Sequence, residues 1–227
     1  MQSIQKSAKQ IGNVSSSPLS GQFPTCGFFI TPFYISNIYF DYISFFSFAV
    51  VKLLLEHSCR TDVMDNERLT PYLTSVIYEK INIFQLLGPL QQDPNPWFVH
   101  PLSGERTTLL HHACQNGTKQ FLELIFDMSN QDKNPLNESS QSLLHCACSK
   151  GHFDIVEFLL NQDFDLQQKC QNGRVPLHYA AIRGSLQCCQ ILVKKMIDIN
   201  IEDKHGKTPL DYAQHRGNQT LTKLLES

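Results

Sequence analysis

The sequence has no marked excess of either charge. Its 227 residues carry 19 Lys and Arg against 21 Asp and Glu, which gives a formal net charge of −2. A chain this close to neutral has no global attraction for polyanions, so we expect no nucleic acid partner. Cysteine is also sparse, with eight residues, too few for a disulfide scaffold in a chain of this length.

Motifs of catalysis are missing as well. The sequence contains no Gly-x-Ser-x-Gly elbow, no phosphate-binding loop, no His-Glu-x-x-His and no kinase signature. We therefore expect no enzyme activity, no bound metal and no cofactor.

What the sequence does contain is a repeated segment. The stretch from Val175 to Gly184 reads Val-Pro-Leu-His-Tyr-Ala-Ala-Ile-Arg-Gly, and related stretches begin at Thr70, Thr108, Ser142 and Thr208. The steps between successive copies are 38, 34, 33 and 33 residues. Self-similarity at one fixed period predicts a supersecondary unit repeated along the chain.

A period near 33 with the signature Thr-Pro-Leu-His-x-Ala resembles the ankyrin repeat family. The resemblance implies an all-α solenoid of helix-turn-helix repeats with β-hairpin loops. It covers residues 49–227, with a half repeat at 49–64 and repeats starting near 65, 103, 137, 170 and 203. Residues 1–48 form a separate segment of doubtful structure.

Local chemistry supports helices at these positions. Hydroxyl side chains stand where they can cap a helix start, at Thr70, Thr108, Ser142 and Thr208. Val175 cannot cap, so its helix should start less firmly. Glycines follow at 117, 151, 184 and 217, where a left-handed residue can close the helix.

The histidines and cysteines of the repeats have structural interpretations. His111, His145 and His178 share one repeat position, and the ankyrin resemblance implies that they hydrogen-bond backbone groups near the turn. Helices stacked about 8–10 Å apart would hold them too far apart to share one zinc ion. The cysteines, Cys146 and Cys148 among them, replace small residues of the repeat, so we expect packed thiols in a reducing compartment.

The N-terminal region is less regular. Residues 1–21 are polar and rich in serine, and we expect them to be disordered. Residues 28–51 are crowded with Phe, Tyr and Ile. Three interpretations stay open: translated non-coding sequence before a splice acceptor, a membrane or interfacial segment, and a packed cap over the exposed half repeat.

The long linker at 88–106 holds four prolines around Trp97, the only tryptophan. Prolines there favour an extended, stiff loop without helix. Trp97 either folds back over the neighbouring repeat or anchors a partner.

A partner surface is expected along the concave side of the repeats. The predicted contact residues in its C-terminal half are Lys150, Arg174, Arg183, Lys207, His215 and Arg216. The N-terminal half carries acidic or neutral residues instead. This polarity suggests a partner protein with an acidic or phosphorylated segment. Asn200, with Asp198 two residues before it and Leu192 eight before, resembles the target of an asparaginyl hydroxylase that modifies some ankyrin proteins.

Taken together, these features predict a non-enzymatic, monomeric protein-interaction scaffold of the cytoplasm or also of the nucleus. Two alternatives remain. The chain is a fragment or isoform of a larger ankyrin-containing enzyme or channel, or it is an ankyrin adaptor tethered to a membrane by residues 28–51.

Overall fold

The computed structural model describes residues 48–56, 60–101, 104–128, 134–162, 164–195 and 198–226. The expectations for residues 1–47, including most of the aromatic run, lie outside the described residues. Among those described, no helix is long and apolar enough to cross a membrane.

The described chain is built from antiparallel helix pairs preceded by one single helix. The elements in chain order are α1 (Phe48–Glu56), α2 (Pro71–Ile77), α3 (Ile81–Leu87), a 3₁₀ turn (Gly88–Leu90), β1 (Trp97–Val99), β2 (Arg106–Thr108), α4 (Leu109–Asn116), α5 (Lys119–Met128), α6 (Leu143–Lys150), α7 (Phe153–Leu160), α8 (Pro176–Arg183), α9 (Leu186–Lys194), α10 (Pro209–His215) and α11 (Gln219–Leu225). This is a helix-turn-helix repeat fold.

Helices of the same kind stack on one another from repeat to repeat. The first helices of the pairs, α2, α4, α6, α8 and α10, each pack against the next first helix along the chain. The second helices form another layer, in which α1 packs on α3, α3 on α5 and α9 on α11. The core therefore lies between neighbouring repeats, where a helix buries an apolar side that it could not bury alone.

The helix starts follow the sequence prediction with one exception. Thr70, Thr108 and Thr208 each accept a hydrogen bond from the backbone N–H three residues later, at 3.3–3.5 Å. The Ser142 hydroxyl instead lies 2.8 Å from Nδ1 of His145. Val175, at the start of α8, has no side-chain group that can cap the helix. The Nδ1 atom of His178, inside the helix, accepts the Val175 N–H at 3.2 Å.

The predicted glycines have left-handed backbone conformations. Gly117, Gly151 and Gly184 end α4, α6 and α8 with φ of about 80°. In the weakest repeat Glu79 occupies the equivalent position with φ 56°, a conformation that costs a residue with a Cβ about 1–2 kcal/mol.

Regular structure occurs in the described part of the linker, residues 88–101 and 104–106. The prediction of an extended loop without helix was wrong at Gly88–Leu90, which forms a 3₁₀ turn with Pro89 in its first positions. A proline can open such a turn because the first N–H groups have no partner within it. Further on, β1 and β2 pair antiparallel, with Trp97 opposite Thr108 and Val99 opposite Arg106.

Candidate functional site: the exposed edge of the first helices

One repeat position forms an exposed row at the C-terminal ends of the first helices. We call this the helix-end row; its members are Tyr78, Asn116, Lys150, Arg183 and Arg216, all exposed. The first two are uncharged and the last three are cationic. Because the first helices stack in chain order, the charge increases along the row toward the C-terminal end.

The three cations of the helix-end row are not neutralised within the described residues. The ion pairs found there are Arg60–Asp62, Lys119–Glu123 and Arg174–Asp203. Arg216 donates from Nη1 to the Ile182 carbonyl oxygen at 2.6 Å, which positions its guanidinium against the preceding repeat. No other hydrogen bond of this side chain is found among the described residues, and a guanidinium carries five N–H donors.

The turns before three of the first helices, α2, α6 and α10, are built in the same way. A side-chain oxygen of Asp65, Asn137 or Asp203 accepts the backbone N–H groups two and four residues later, at 2.8–3.1 Å. Neighbouring turns also bond each other, through Gln171 N–H to the Ser139 oxygen at 3.1 Å and Lys204 N–H to the Asn172 oxygen at 3.0 Å. These contacts hold the exposed Lys207 in a defined turn.

The repeated histidines join each first helix to the following turn. Nε2 of His111, His145 and His178 lies 3.0–3.1 Å from the carbonyl oxygens of Gln141, Arg174 and Lys207 respectively. Nδ1 of His145 accepts the Ser142 N–H at 3.0 Å, so the ring is neutral with its proton on Nε2. Burial agrees with this, because it lowers the pKa of His111 and of His145 to about 4.

Arg174 is engaged inside the fold. Its Nε donates to Asp203 Oδ2 at 3.0 Å, and its Nη2 donates to the Tyr212 hydroxyl at 2.7 Å. The Tyr212 hydroxyl in turn donates to Asp203 Oδ2 at 2.6 Å. Burial alone would raise the pKa of Asp203, but these bonds and two backbone N–H groups outweigh it and lower that pKa. Arg174, one of the predicted contact residues, therefore joins two repeats through its side chain, as Arg216 does through the Ile182 oxygen.

The hairpin that carries Trp97 is anchored by its buried neighbours. The Phe98 side chain is buried, the Tyr72 hydroxyl donates to the Pro94 oxygen at 2.8 Å, and the Leu110 N–H donates to Asn95 Oδ1 at 3.0 Å. Trp97 itself keeps 41% of its surface exposed, with the Arg106 guanidinium 5.2 Å from its ring centroid. The Trp97 ring is therefore neither fully packed against the neighbouring repeat nor free of contacts, since it lies beside Arg106.

The six cysteines of the described residues are unpaired and buried, as the sequence predicts. Burial raises the pKa of the Cys146 and Cys189 thiols to about 12 and holds the pKa of Cys114 and Cys148 well above its usual value. Thiols in this state are poor nucleophiles at neutral pH.

Comparison with known proteins settles the classification. A family model described as ankyrin repeats (3 copies) matches residues 90–170 and 144–227, which together cover more than half of the chain. The chain belongs to the ankyrin repeat family. No curated protein sequence matches it significantly.

The ankyrin classification agrees with the role found for the three histidines, which bond backbone oxygens at the turns as predicted. Asn200 lies exposed in the turn after α9 of this ankyrin array, and its N–H donates to Asp198 Oδ1 at 2.9 Å. His215 is exposed at the end of α10, next to Arg216. Sequence reasoning missed Tyr212 and Asp203, although Asp203 shares the turn position of Asp65 and Asn137.

Proposed function

We propose that this ankyrin protein is a non-enzymatic, monomeric scaffold of the cytoplasm that binds one partner protein. The repeats would form a continuous solenoid, and the partner would lie in its concave groove along the helix-end row. Ankyrin repeats are in general protein-interaction modules, which supports the broad class. The groove, the partner's chemistry and the compartment are specific to this proposal.

The observation that carries the proposal is the succession of Lys150, Arg183 and Arg216. One exposed cation stands at the same position in three consecutive repeats, without a carboxylate partner among the described residues. A row of one sign on a rigid support favours a ligand of the opposite sign.

The spacing of the row suggests the form of the ligand. Stacked helices lie about 8–10 Å apart, and a peptide in the polyproline II conformation advances about 3.1 Å per residue with three residues per turn. Acidic or phosphorylated side chains at every third residue would therefore meet successive cations. Arg183 and Arg216 can bind a carboxylate or phosphate with two parallel hydrogen bonds, whereas Lys150 offers a single charge.

The non-enzymatic part of the proposal is supported by the state of the reactive groups. Ring nitrogens of the repeated histidines are occupied by backbone groups, and burial raises the pKa of the thiols of Cys114, Cys146, Cys148 and Cys189. A general base must reach the proton that it abstracts, and these groups face the interior.

The test is a charge reversal on the row. Arg183→Glu with Arg216→Glu is introduced into the full chain, and proteins that co-purify with it are compared with those of the wild type by mass spectrometry. The matched control is Lys194→Glu with Lys195→Glu, which makes the same charge change at exposed positions at the end of α9. The partner should be lost only with the first pair.

Two further results test the chemistry of the partner's acidic groups and the location of the binding surface. Phosphatase treatment of the extract should weaken capture if the partner's acidity comes from phosphate, and should leave it unchanged if carboxylates bind. A partner that both reversed proteins retain equally would refute the helix-end row as the binding surface.

A further inference from the structure

Gly184, which ends α8, faces two nitrogen donors of the next repeat. The position that a Cβ on Gly184 would take lies 3.3 Å from Nε of Arg216 and 3.7 Å from Nδ2 of Asn218. A phosphate group with hydrogen bonds of about 2.8 Å at two of its oxygens can bridge two nitrogens that lie this close to one point. We call the space over Gly184, bordered by Arg216 and Asn218, the Gly184 niche.

The Arg216 side chain is held with one edge of its guanidinium available. Nη1 donates to the Ile182 carbonyl oxygen at 2.6 Å, and no hydrogen bond of Nε or Nη2 is found among the described residues. Nε and Nη2 form one edge of the planar group, and such an edge binds two oxygens of an anion in parallel. The ion pairs of the described residues do not include Arg216, so its charge is not spent on a carboxylate there.

The Asn218 side chain turns its donor toward the niche. Its Oδ1 accepts the Leu221 N–H at 3.2 Å and the Thr220 hydroxyl at 2.8 Å. These two bonds assign the oxygen to α11 and place Nδ2 on the side of Gly184, where no acceptor for it is found among the described residues. A donor in this position favours an anion as its ligand.

The equivalent spaces in two other repeats are built differently. At Gly117 a Cβ would meet the His152 ring at 2.6–2.7 Å, so that ring itself occupies the space. At Gly151 the nearest atoms are carbons, Cγ of Arg183 and Cβ of Ser185, both at 3.5 Å. Of these three helix ends, the niche is therefore the one where a guanidinium and an amide donor approach a space that no side chain fills.

We propose that the Gly184 niche binds a phosphate group on a side chain of the partner protein. The inference rests on the proposed function, and it assigns one anion contact of the helix-end row to Arg216 together with Asn218. The guanidinium edge takes two phosphate oxygens, and Nδ2 of Asn218 donates to the third. A carboxylate has only two oxygens, which the guanidinium edge already uses, and it carries less charge than a phosphate monoester at neutral pH.

A labelled peptide with phosphoserine at every third residue tests the niche in a fluorescence anisotropy titration of the full chain. Asn218→Asp keeps an oxygen that can cap α11 but replaces the Nδ2 donor by a carboxylate oxygen. We expect it to weaken binding about tenfold, as the loss of a hydrogen bond to a charged group does. Gln190→Glu makes the same amide-to-carboxylate change at an exposed position of α9 and should leave the affinity unchanged.

Filling the space gives a second test. Gly184→Ala places a Cβ against Arg216 and should also weaken binding about tenfold. Gly217→Ala is the matched control, because φ is positive at both glycines, 81° and 67°, and nothing lies within 4 Å of a Cβ at Gly217. In a chain that carries Arg216→Ala, adding Gly184→Ala should change the affinity no further, since the glycine acts by positioning the arginine.

The outcomes separate this inference from the proposed function. Equal affinity for a peptide with Glu in place of each phosphoserine would overturn the phosphate assignment. If Asn218→Asp and Gly184→Ala bind the phosphopeptide like the wild type, while Arg183→Glu with Arg216→Glu does not bind it, the niche is refuted and the helix-end row stands. A wild-type chain that binds neither peptide would overturn both.

Discussion

The Tyr212 hydroxyl donates to Asp203 Oδ2 at 2.6 Å, between a first helix and the turn that precedes it. The same carboxylate oxygen receives Nε of Arg174 from the previous repeat. The Asp203 side chain is fully buried, so its charge depends on these donors for compensation.

Replacing Tyr212 by Phe should therefore destabilise the array. The change removes one donor to Asp203 and one acceptor for Arg174 while keeping the ring. We expect the free energy of unfolding to fall by about 1–2 kcal/mol, the range for a hydrogen bond to a charged group at a partly exposed site. Urea denaturation measures the loss. Tyr78→Phe, at an exposed ring, should change stability by less than about 0.5 kcal/mol; equal effects would contradict the role given to Tyr212.

Acid should destabilise the array at pH values well above the usual pKa of carboxylates. Burial lowers the pKa of His111, His112 and His145 to about 4, against about 6.5 in an unfolded chain. Between these values the unfolded chain binds more protons than the folded one, so stability is complete above pH 6.5 and falls as the pH decreases toward 4. The loss should be about 2 kcal/mol per histidine at pH 5.

Urea denaturation at pH 7, 6 and 5 checks this dependence. His145→Gln should lower the stability at pH 7 and also reduce the slope with pH, because one of the titrating rings is gone. Asn172→Ala, a change at an exposed turn residue without a titrating side chain, should leave the slope as it is. A stability that is constant from pH 7 to 5 would show that the buried rings do not titrate as their surroundings require.

Gly117 should tolerate alanine less well than Gly217 does. Both have positive φ, 80° and 67°, so a Cβ strains the backbone at each. At Gly117 the new Cβ would also lie 2.6–2.7 Å from the ring of His152, which is held by the Gln115 carbonyl oxygen at 3.0 Å. At Gly217 nothing lies within 4 Å of the new Cβ.

We expect Gly117→Ala to cost about 1–3 kcal/mol more than Gly217→Ala, the usual penalty of overpacking. Thermal denaturation of the two variants gives the comparison. If the two costs are equal, the His152 ring moves freely and does not fix the junction between α4 and α6.

Glycine in place of Glu79 should stabilise the protein. Glu79 is exposed with φ 56°, and glycine removes the steric cost of that conformation, about 1 kcal/mol. Glu157→Gly, at an exposed position inside α7, is the matched control and should cost about 1 kcal/mol instead. Opposite signs in urea denaturation are the expected result, and a loss at both sites would contradict a left-handed strain at Glu79.

Hydroxylation of Asn200 can be tested by co-expression with an asparaginyl hydroxylase that acts on ankyrin proteins. The residue is exposed in the turn after α9, which makes it accessible. We expect peptide mass spectrometry to find one added oxygen on the peptide that contains Asn200. The exposed Asn172, in the turn before α8, serves as the internal control and should stay unmodified. A peptide of unchanged mass at Asn200 would end the hypothesis.

Most of the repeat fold could be predicted from the sequence because each unit is specified locally. Proline at the helix starts, hydroxyls such as Thr208, and glycines such as Gly151 act within a few residues of their position. The role of His145 was predictable from its recurrence and the family resemblance. These signals need no knowledge of which repeats touch.

The remaining features depend on contacts between repeats, which spacing alone does not reveal. Arg174 stays a predicted partner contact, and its bonds to Asp203 and Tyr212, 29 and 38 residues further along the chain, were not predicted. The pairing of β1 with β2 was equally hidden, because the prolines around Trp97 obscure any strand pattern. Ser142 was predicted as a helix cap from its position alone, but its hydroxyl lies against Nδ1 of His145 instead.

The forward direction of the histidine bonds has a consequence for synthesis on the ribosome. Each ring bonds an oxygen about 30 residues downstream, so in a nascent chain its Nε2 donor lacks its protein acceptor until the next turn has left the exit tunnel. During translation, each repeat therefore forms its histidine hydrogen bond only after the following turn has emerged. In a nascent chain arrested after Lys150, His145 lacks its acceptor, the Arg174 carbonyl oxygen. If the array instead unfolds from its N-terminal end, His145 keeps that bond until its own repeat unfolds.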